Sequence, residues 1–390
     1  MKSIITIVLI SLSAGLYGQT ITSVSNGNAS NPFVWSCTCI PPITSNIVIN
    51  HVITMDSDWY HTGTITVSAS GQWIQQSNQD VLFDGPVASF VNNGHTELTY
   101  LGLTNGASGS NTGQMTLDSG FYSMSDFTNQ GSVLCDSMVF QGDFTQTSSG
   151  YLFGGDFLFD GNVSLMGTVH ADSLLNTGLL TLQSGSYIYT YDISNTDSMV
   201  IEGELYASHN MSNFQDLVVD GIIGVDNDFT TGDLLDFSAS LVVDGRLVVI
   251  NNWASSQPIN GTGEICIGGA SSNASTITGT LDICDPTGTQ SGFDTNIGSV
   301  AGTITNCASG CYAGVAEKPA GDISVYPNPA SDVVFISGQS DIVRVFTVDG
   351  SLVMEARTDA QGILHILELA PGMYLLRTST AVLPLLVSRH

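Results

Sequence analysis

The chain has 390 residues, 42% of them hydrophobic, with a mean hydropathy of +0.22; that supports two domains and a sizeable core and excludes a disordered polymer. Charged residues make up only 11% of it, against roughly 25% in ordinary soluble domains, yet the formal net charge is −28. From Gln19 to Glu317 there are 28 Asp and Glu and a single basic residue, Arg246, so nothing can neutralise phosphates, and nucleic-acid binding and attraction to anionic bilayers are excluded.

Residues 1–18 read as a secretory signal peptide: Lys2, an apolar run from Ile4 to Leu16, then Tyr17-Gly18 ahead of a cleavage point before Gln19. The run is too short for a spanning helix. Elsewhere Ala381–Val387 is brief and interrupted by Pro384, so no transmembrane segment is expected in the mature chain. Residues 19–45, with Pro32-Phe-Val-Trp35 and Pro41-Pro42, differ from the repetitive segment after them and read as an N-terminal cap.

Residues 46–312 carry almost no helical signal. Apolar and β-branched residues alternate with polar ones in short runs punctuated by Gly, Asn, Ser or Asp. Met138–Phe144, Phe157–Val163, Met199–Leu205, Leu217–Ile223 and Leu241–Leu247 share one form: three apolar residues, a polar or acidic one, Gly, any residue, an apolar residue. Gly142, Gly161, Gly178, Gly203, Gly221 and Gly245 are 19, 17, 25, 18 and 24 residues apart, the length of one coil of a β-solenoid. Such a coil cannot bury its apolar face alone, and stacking supplies the core. Gly is expected where a corner strains other residues, and Asn and Ser near corners are expected to form hydrogen-bonded ladders. The repeated strand–Gly–strand form favours this all-β, right-handed parallel β-helix over a sandwich or jelly roll, which needs hairpin turns.

Chemistry is thinly signalled. His51, His61, His95, His170 and His209 occur singly and read as surface or corner residues; no nucleophile elbow is present, and Gly106–Gly113 lacks the Lys of a phosphate loop. Many parallel β-helices are polysaccharide lyases or glycoside hydrolases, which need clustered carboxylates. Here the acid before each repeat Gly sits at one phase, as a solvated corner residue would, so no catalytic residue is expected. Asp226-Asn-Asp228 with Asp233 has an Asp-x-Asp spacing that suits calcium, although Thr231 stands where an EF-hand needs Gly and no Glu follows at position twelve. No other cofactor is implied. Cys37, Cys39, Cys266, Cys284, Cys307 and Cys311 are disulfide candidates in an exported protein, with Cys135 left over. Cys37-Thr-Cys39 closes only a tight ring, and a zinc site would lack tetrahedral ligand spacing.

At Glu317 the charge texture changes: 318–390 holds five basic and seven acidic residues, and 313–321 reads as a linker. Beyond it come Ile323-Ser-Val-Tyr-Pro-Asn-Pro329, a hairpin signal at Asp349-Gly350, and Pro371-Gly372 launching Met373–Thr378. In all three motifs and their order, 322–390 resembles the type A C-terminal sorting domain of the type IX secretion system, with Tyr326, Pro327, Asn328, Pro329, Gly350, Gly372 and Tyr374 matching. The resemblance implies a small immunoglobulin-like β-sandwich. It also implies recognition by the outer-membrane secretion machinery, usual removal of the tail, and a secreted or cell-surface destination. Pro384 is expected to interrupt the last strand. The Trp35-Ser-Cys-Thr-Cys39 opening and Leu281–Asp285 close are similar to other exported proteins with such tails and imply no activity.

The body is expected to be an adhesion, glycan-binding or surface structural module, with surface glycans or neighbouring cells as partners. A β-helix carbohydrate-active enzyme is the alternative. The direction of Trp59, Trp73, Tyr151, Tyr187, Tyr189 and Tyr191 discriminates: aromatics outward along one face favour binding, whereas converging Asp residues favour catalysis.

Overall fold

The computed structural model describes residues 20–232, 239–288 and 292–306, and in the tail 325–326, 330, 332–336, 342–347, 352–358, 363–377 and 382–387. The signal peptide and the linker lie outside the described residues. The chain divides into two compact units, Met1–Cys311 and Tyr312–His390. No helix among the described residues is long and apolar enough to cross a membrane.

The first unit is a parallel β-solenoid with three strand-bearing faces. The first face is one 15-stranded sheet that opens with Thr20–Thr22 and closes with Ser299–Val300. Each strand pairs in parallel with its counterpart a coil away, as Phe127 with Phe144 and Leu217 with Leu241, register partners 17 and 24 residues apart. Long strands such as Tyr187–Asn195 cover both the second and third faces. In the next coil that path is split into Glu204–Ala207 and Met211–Asn213, and both pair with Tyr187–Asn195.

Alternation explains the winding. In Thr64–Val67 the side chains of Ile65 and Val67 are buried and those of Thr64 and Thr66 lie outside, so each strand offers one apolar row to a lumen that the stack closes. Phe127, Phe140, Phe144 and Phe159 fill it at mid-length, with ring centroids 4.3 Å apart for Phe140–Phe144 and 6.1 Å for Phe127–Phe144. Such ring pairs are worth about 0.5–1.5 kcal/mol beyond their burial. At the N-terminal end Trp35 is fully buried and its Nε1 donates to the Ala29 carbonyl (2.9 Å). Part of the expected cap is itself solenoid, because Thr20–Thr22 pairs with Asn46–Val48 in the first face.

The corners hold the expected ladders, buried on the inside. Asn92, Asn111, Asn129 and Gln146 form one, each donating to the next at 2.8, 2.9 and 3.2 Å. Asn176, Asn195 and Asn213 form another at a different corner, at 2.7 and 2.6 Å. A buried amide is costly unless paired; each coil supplies the partner for the previous one, so the ladder fixes register along the stack.

The glycines behave differently from the expectation. Neither Gly203 nor Gly221 takes a positive φ. A Cβ at Gly221 would stand 2.0 Å from the Gly203 carbonyl oxygen, and one at Gly245 2.1 Å from that of Gly221. Gly is required because the neighbouring backbone passes directly above, not because of corner strain. The repeat also changes phase. Gly142, Gly161 and Gly178 precede first-face strands, whereas Gly203, Gly221 and Gly245 precede the second-face strands Glu204–Ala207, Ile222–Val225 and Arg246–Val249. The 25-residue interval from Gly178 to Gly203 is this step from one corner to another. The acids before these glycines therefore do not share a single phase, as the sequence suggested.

Among its described residues the second unit holds two antiparallel sheets, one of three strands and one of four. Val325–Tyr326 pairs with Val333–Ile336, and Ile342–Thr347 pairs with Leu352–Arg357 across the hairpin signal. Val382–Val387 runs unbroken against Gly372–Arg377, contrary to the expected interruption. Its place at the edge of the four-stranded sheet explains the tolerance, since an edge strand can spare the N–H that Pro384 lacks.

Candidate functional site

The outer side of the second face carries an aromatic stripe. Phe153, His170, Tyr189 and Tyr206 are register partners on four successive coils. Their centroids are 6.2, 5.6 and 5.4 Å apart, with Tyr189 and Tyr206 stacked at 22°. The alternation that sends Leu152, Val169, Ile188 and Leu205 inward sends these rings outward. Tyr151 and Tyr187 flank His170, at 5.8 and 6.3 Å. Beside the stripe, exposed Tyr191 stacks on His209 at 4.6 Å and 11°. Tyr206 leans over the next coil, where Gly224 leaves room: a Cβ there would stand 3.0 Å from its ring.

The tryptophans are elsewhere. Trp73 is fully buried, and Trp59 packs between Trp35 and Trp73 at 6.2 and 5.7 Å. Of the six aromatics singled out in the sequence, the outward ones are thus the four tyrosines, Tyr151, Tyr187, Tyr189 and Tyr191.

Burial sets the electrostatics of the stripe. It pushes the His170 ring down to about 4, so the imidazole is neutral at neutral pH. The Tyr187 hydroxyl is pushed up to about 12, first by burial and then by nearby Tyr189 and Glu204. Tyr206 is raised by burial and by donating to the Asp226 carboxylate. Arg246 is held by Glu264 at 2.9 Å. Among the described residues, no Lys or Arg side chain is shown on the stripe.

At the bend between the second and third faces runs an outer ladder of alternating character: Asp156, Ser173, Asp192, Asn210, Asp228, Asn252. The Ser173 hydroxyl donates to Asp156 (2.6 Å), the Asn210 N–H to Asp192 (3.0 Å), and the Asn252 amide to Asp228 (2.8 Å). Stacking carboxylates directly would place like charges one strand spacing apart; interleaved donors remove that repulsion. Asp228 also accepts from Asn251 at 3.0 Å. The two acids of the calcium reading thus engage protein groups on opposite sides, Asp226 on Tyr206 and Asp228 on Asn251 and Asn252; Asp233 lies outside the described residues.

Two histidines depart from the sequence reading. His61 is buried, with Nε2 2.9 Å from the Ser45 carbonyl oxygen, and burial holds its ring below the usual range. His209 meets Asp192 at 2.9 Å, a pairing hidden in the sequence because the two are one coil apart. A coil-length search for acids facing each His would have found it.

Among the cysteines, Cys37 and Cys39 are bonded to each other despite the small ring, and Thr38 between them adopts φ +52°. Cys135 is a buried free thiol, pushed up by burial and so unreactive. Cys266 and Cys284 are register partners on neighbouring coils, and with Glu264 they are the one His/Cys/Asp/Glu group among the described residues close enough for a metal ion. Cys284, however, is disulfide-bonded, and such a sulfur is no thiolate ligand. Cys307 and Cys311 lie outside the described residues.

In the tail, Tyr326 pairs with Phe335. Gly372 has φ +153°, a backbone that favours Gly, and Tyr374 is buried with its hydroxyl donating to the Ala370 carbonyl (2.9 Å). The Pro-Gly turn is thereby tied to the strand that follows it. Pro327, Asn328, Pro329 and Gly350 lie outside the described residues.

Residues 324–383 match the family of secretion system C-terminal sorting domains. No curated protein and no solved structure matches the chain. The protein is thus an all-β export cargo: a parallel β-solenoid that carries a type IX secretion sorting domain, engages that machinery and is secreted or placed at the cell surface. Deleting 318–390 should leave the solenoid folded but held in the periplasm, as fractionation and immunoblotting would show; normal surface amounts of the truncated protein would contradict the sorting role.

Proposed function

We propose that the solenoid is a non-enzymatic glycan-binding module, through which the exported protein adheres to surface polysaccharide or neighbouring cells. The observation that carries this reading is the outward aromatic stripe, one ring per coil from Phe153 to Tyr206. Aromatic rings make close apolar contact with the C–H groups of sugars, and buried aromatic contacts dominate binding energy where they occur. Nearby carboxylates supply acceptors for sugar hydroxyls. Hydrolysis is less well served: Asp156, Asp192 and Asp228 each spend oxygens on donors from the adjoining coil and are separated by Ser or Asn.

The test is a panel of immobilised neutral and acidic polysaccharides probed with the full exported protein. Retention on a neutral polymer without release of reducing ends is expected. Release of reducing ends or unsaturated products would make the protein an enzyme, and retention on none would remove the binding role.

A further inference from the structure

We propose that the stripe holds a linear, uncharged polysaccharide lengthwise, parallel to the solenoid axis, with one sugar ring on each coil. This rests on the glycan-binding reading and adds the orientation, the charge class and the length of chain recognised.

Orientation follows from the register. Phe153, His170, Tyr189 and Tyr206 are not scattered over a face but fall in one column, so the track they form runs across the strands. Successive strands are about 4.7–4.9 Å apart, close to the advance of an extended chain of equatorially linked pyranoses per sugar. A chain laid along Tyr187–Asn195 would meet Tyr187, Tyr189 and Tyr191 only at every second residue, about 6.6–6.8 Å apart, and the adjoining strands carry fewer outward rings; a chain laid along the axis meets a ring at every sugar.

Length follows from the ends of the column. Before Phe153 the register partner is Leu134, and after Tyr206 it is Gly224, which offers no side chain and is overhung by the Tyr206 ring. One coil further the position is Val248, which is buried. The track is four coils long.

Charge class follows from what borders it. Glu204 is exposed one coil along from Tyr187, and Asp226 accepts from the Tyr206 hydroxyl. The one cation of the body, Arg246, is engaged by Glu264, and His170 is neutral. The carboxylates repel an anionic sugar, whereas a neutral one can donate hydroxyls to them.

The experiment is calorimetry of the full protein with a neutral oligosaccharide series, disaccharide to octasaccharide, cut from whichever neutral polymer the panel retains. Affinity should climb by severalfold per sugar to about four sugars, one per coil, and then level. Phe153→Ala, which removes an end ring on the outside of the sheet, should move the plateau one sugar shorter. A carboxylated series of equal length should bind at least tenfold more weakly at low salt. Full affinity at the disaccharide, a plateau unmoved by Phe153→Ala, or equal binding of the carboxylated series would overturn the lengthwise, neutral track while leaving glycan binding intact. Retention of acidic polymers alone would overturn the neutral track and leave glycan binding intact, whereas retention of no polymer would remove both readings.

Discussion

Gly221→Val is expected to unfold the solenoid or to destabilise it by at least about 4 kcal/mol, the range reached when overpacking cannot be relieved. The new Cβ would stand 2.0 Å from the Gly203 carbonyl oxygen and 2.6 Å from that of Glu202. Both are main-chain atoms fixed by the pairing of Glu204–Ala207 with Ile222–Val225, so no rotamer can yield. Gly302→Ala is the control, since a Cβ there meets nothing within 4 Å, and it should leave stability unchanged within about 0.5 kcal/mol. Urea unfolding followed by circular dichroism measures both. A Gly221→Val protein with a wild-type midpoint would show that the coils stack less closely than described.

Asn195→Leu is expected to cost about 3–5 kcal/mol, from several buried polar groups left unpaired at about 1–3 kcal/mol each. Asn195 accepts from Asn176 (2.7 Å) and donates to the Asn213 side chain (2.6 Å) and to the carbonyls of Asp197 and Asp216 (3.0 and 3.2 Å). Leu has the same branched four-atom skeleton with bulkier ends, so no cavity opens, and the loss reports broken hydrogen bonds together with crowding. Asn296 sits at the far end of the same column, bonded to Asn273 at 3.0 Å, and is only partly buried. Asn296→Leu should therefore cost much less. Equal effects at the two positions would mean that the ladder does not act as a buried column.

These expectations show what the sequence could and could not reveal. Coil length was legible because each coil must supply the same features: apolar alternation, a small residue under the next backbone, an amide for the ladder. The phase was not. The form shared by Phe157–Val163 and Met199–Leu205 looks like one repeat, yet the first turns into a first-face strand and the second into a second-face strand. Any corner that passes under a neighbouring backbone asks for Gly, so two corners write the same motif. The reason for Gly was misread for the same cause: steric exclusion by a neighbouring coil leaves no trace in local φ preference.

The stripe was legible only in part. Tyr187-Ile-Tyr189-Thr-Tyr191 signals outward aromatics by its alternation, but Phe153, His170 and Tyr206 join it through register, which depends on every loop length between them. His209 and Asp192 were missed for the same reason. Trp59 and Trp73 look like binding aromatics in sequence; their strands place them on the buried rows with Val81 and Ile53. The tail, by contrast, was readable from its motifs alone, because its turns demand specific residues at fixed places. Pro384 was the exception: only the sheet order shows that its strand lies at an edge.

The central claim is that the solenoid works through the outward rings of its second face. It is tested most directly by comparing the full protein with a Phe153→Ala, Tyr189→Ala, Tyr206→Ala triple variant for binding to the neutral polysaccharide that the panel retains, after circular dichroism has shown the two equally folded. The account predicts a loss of at least a hundredfold in affinity, about 2.7 kcal/mol spread over three contacts. Binding within twofold of the wild type would place the ligand elsewhere on the solenoid and contradict it.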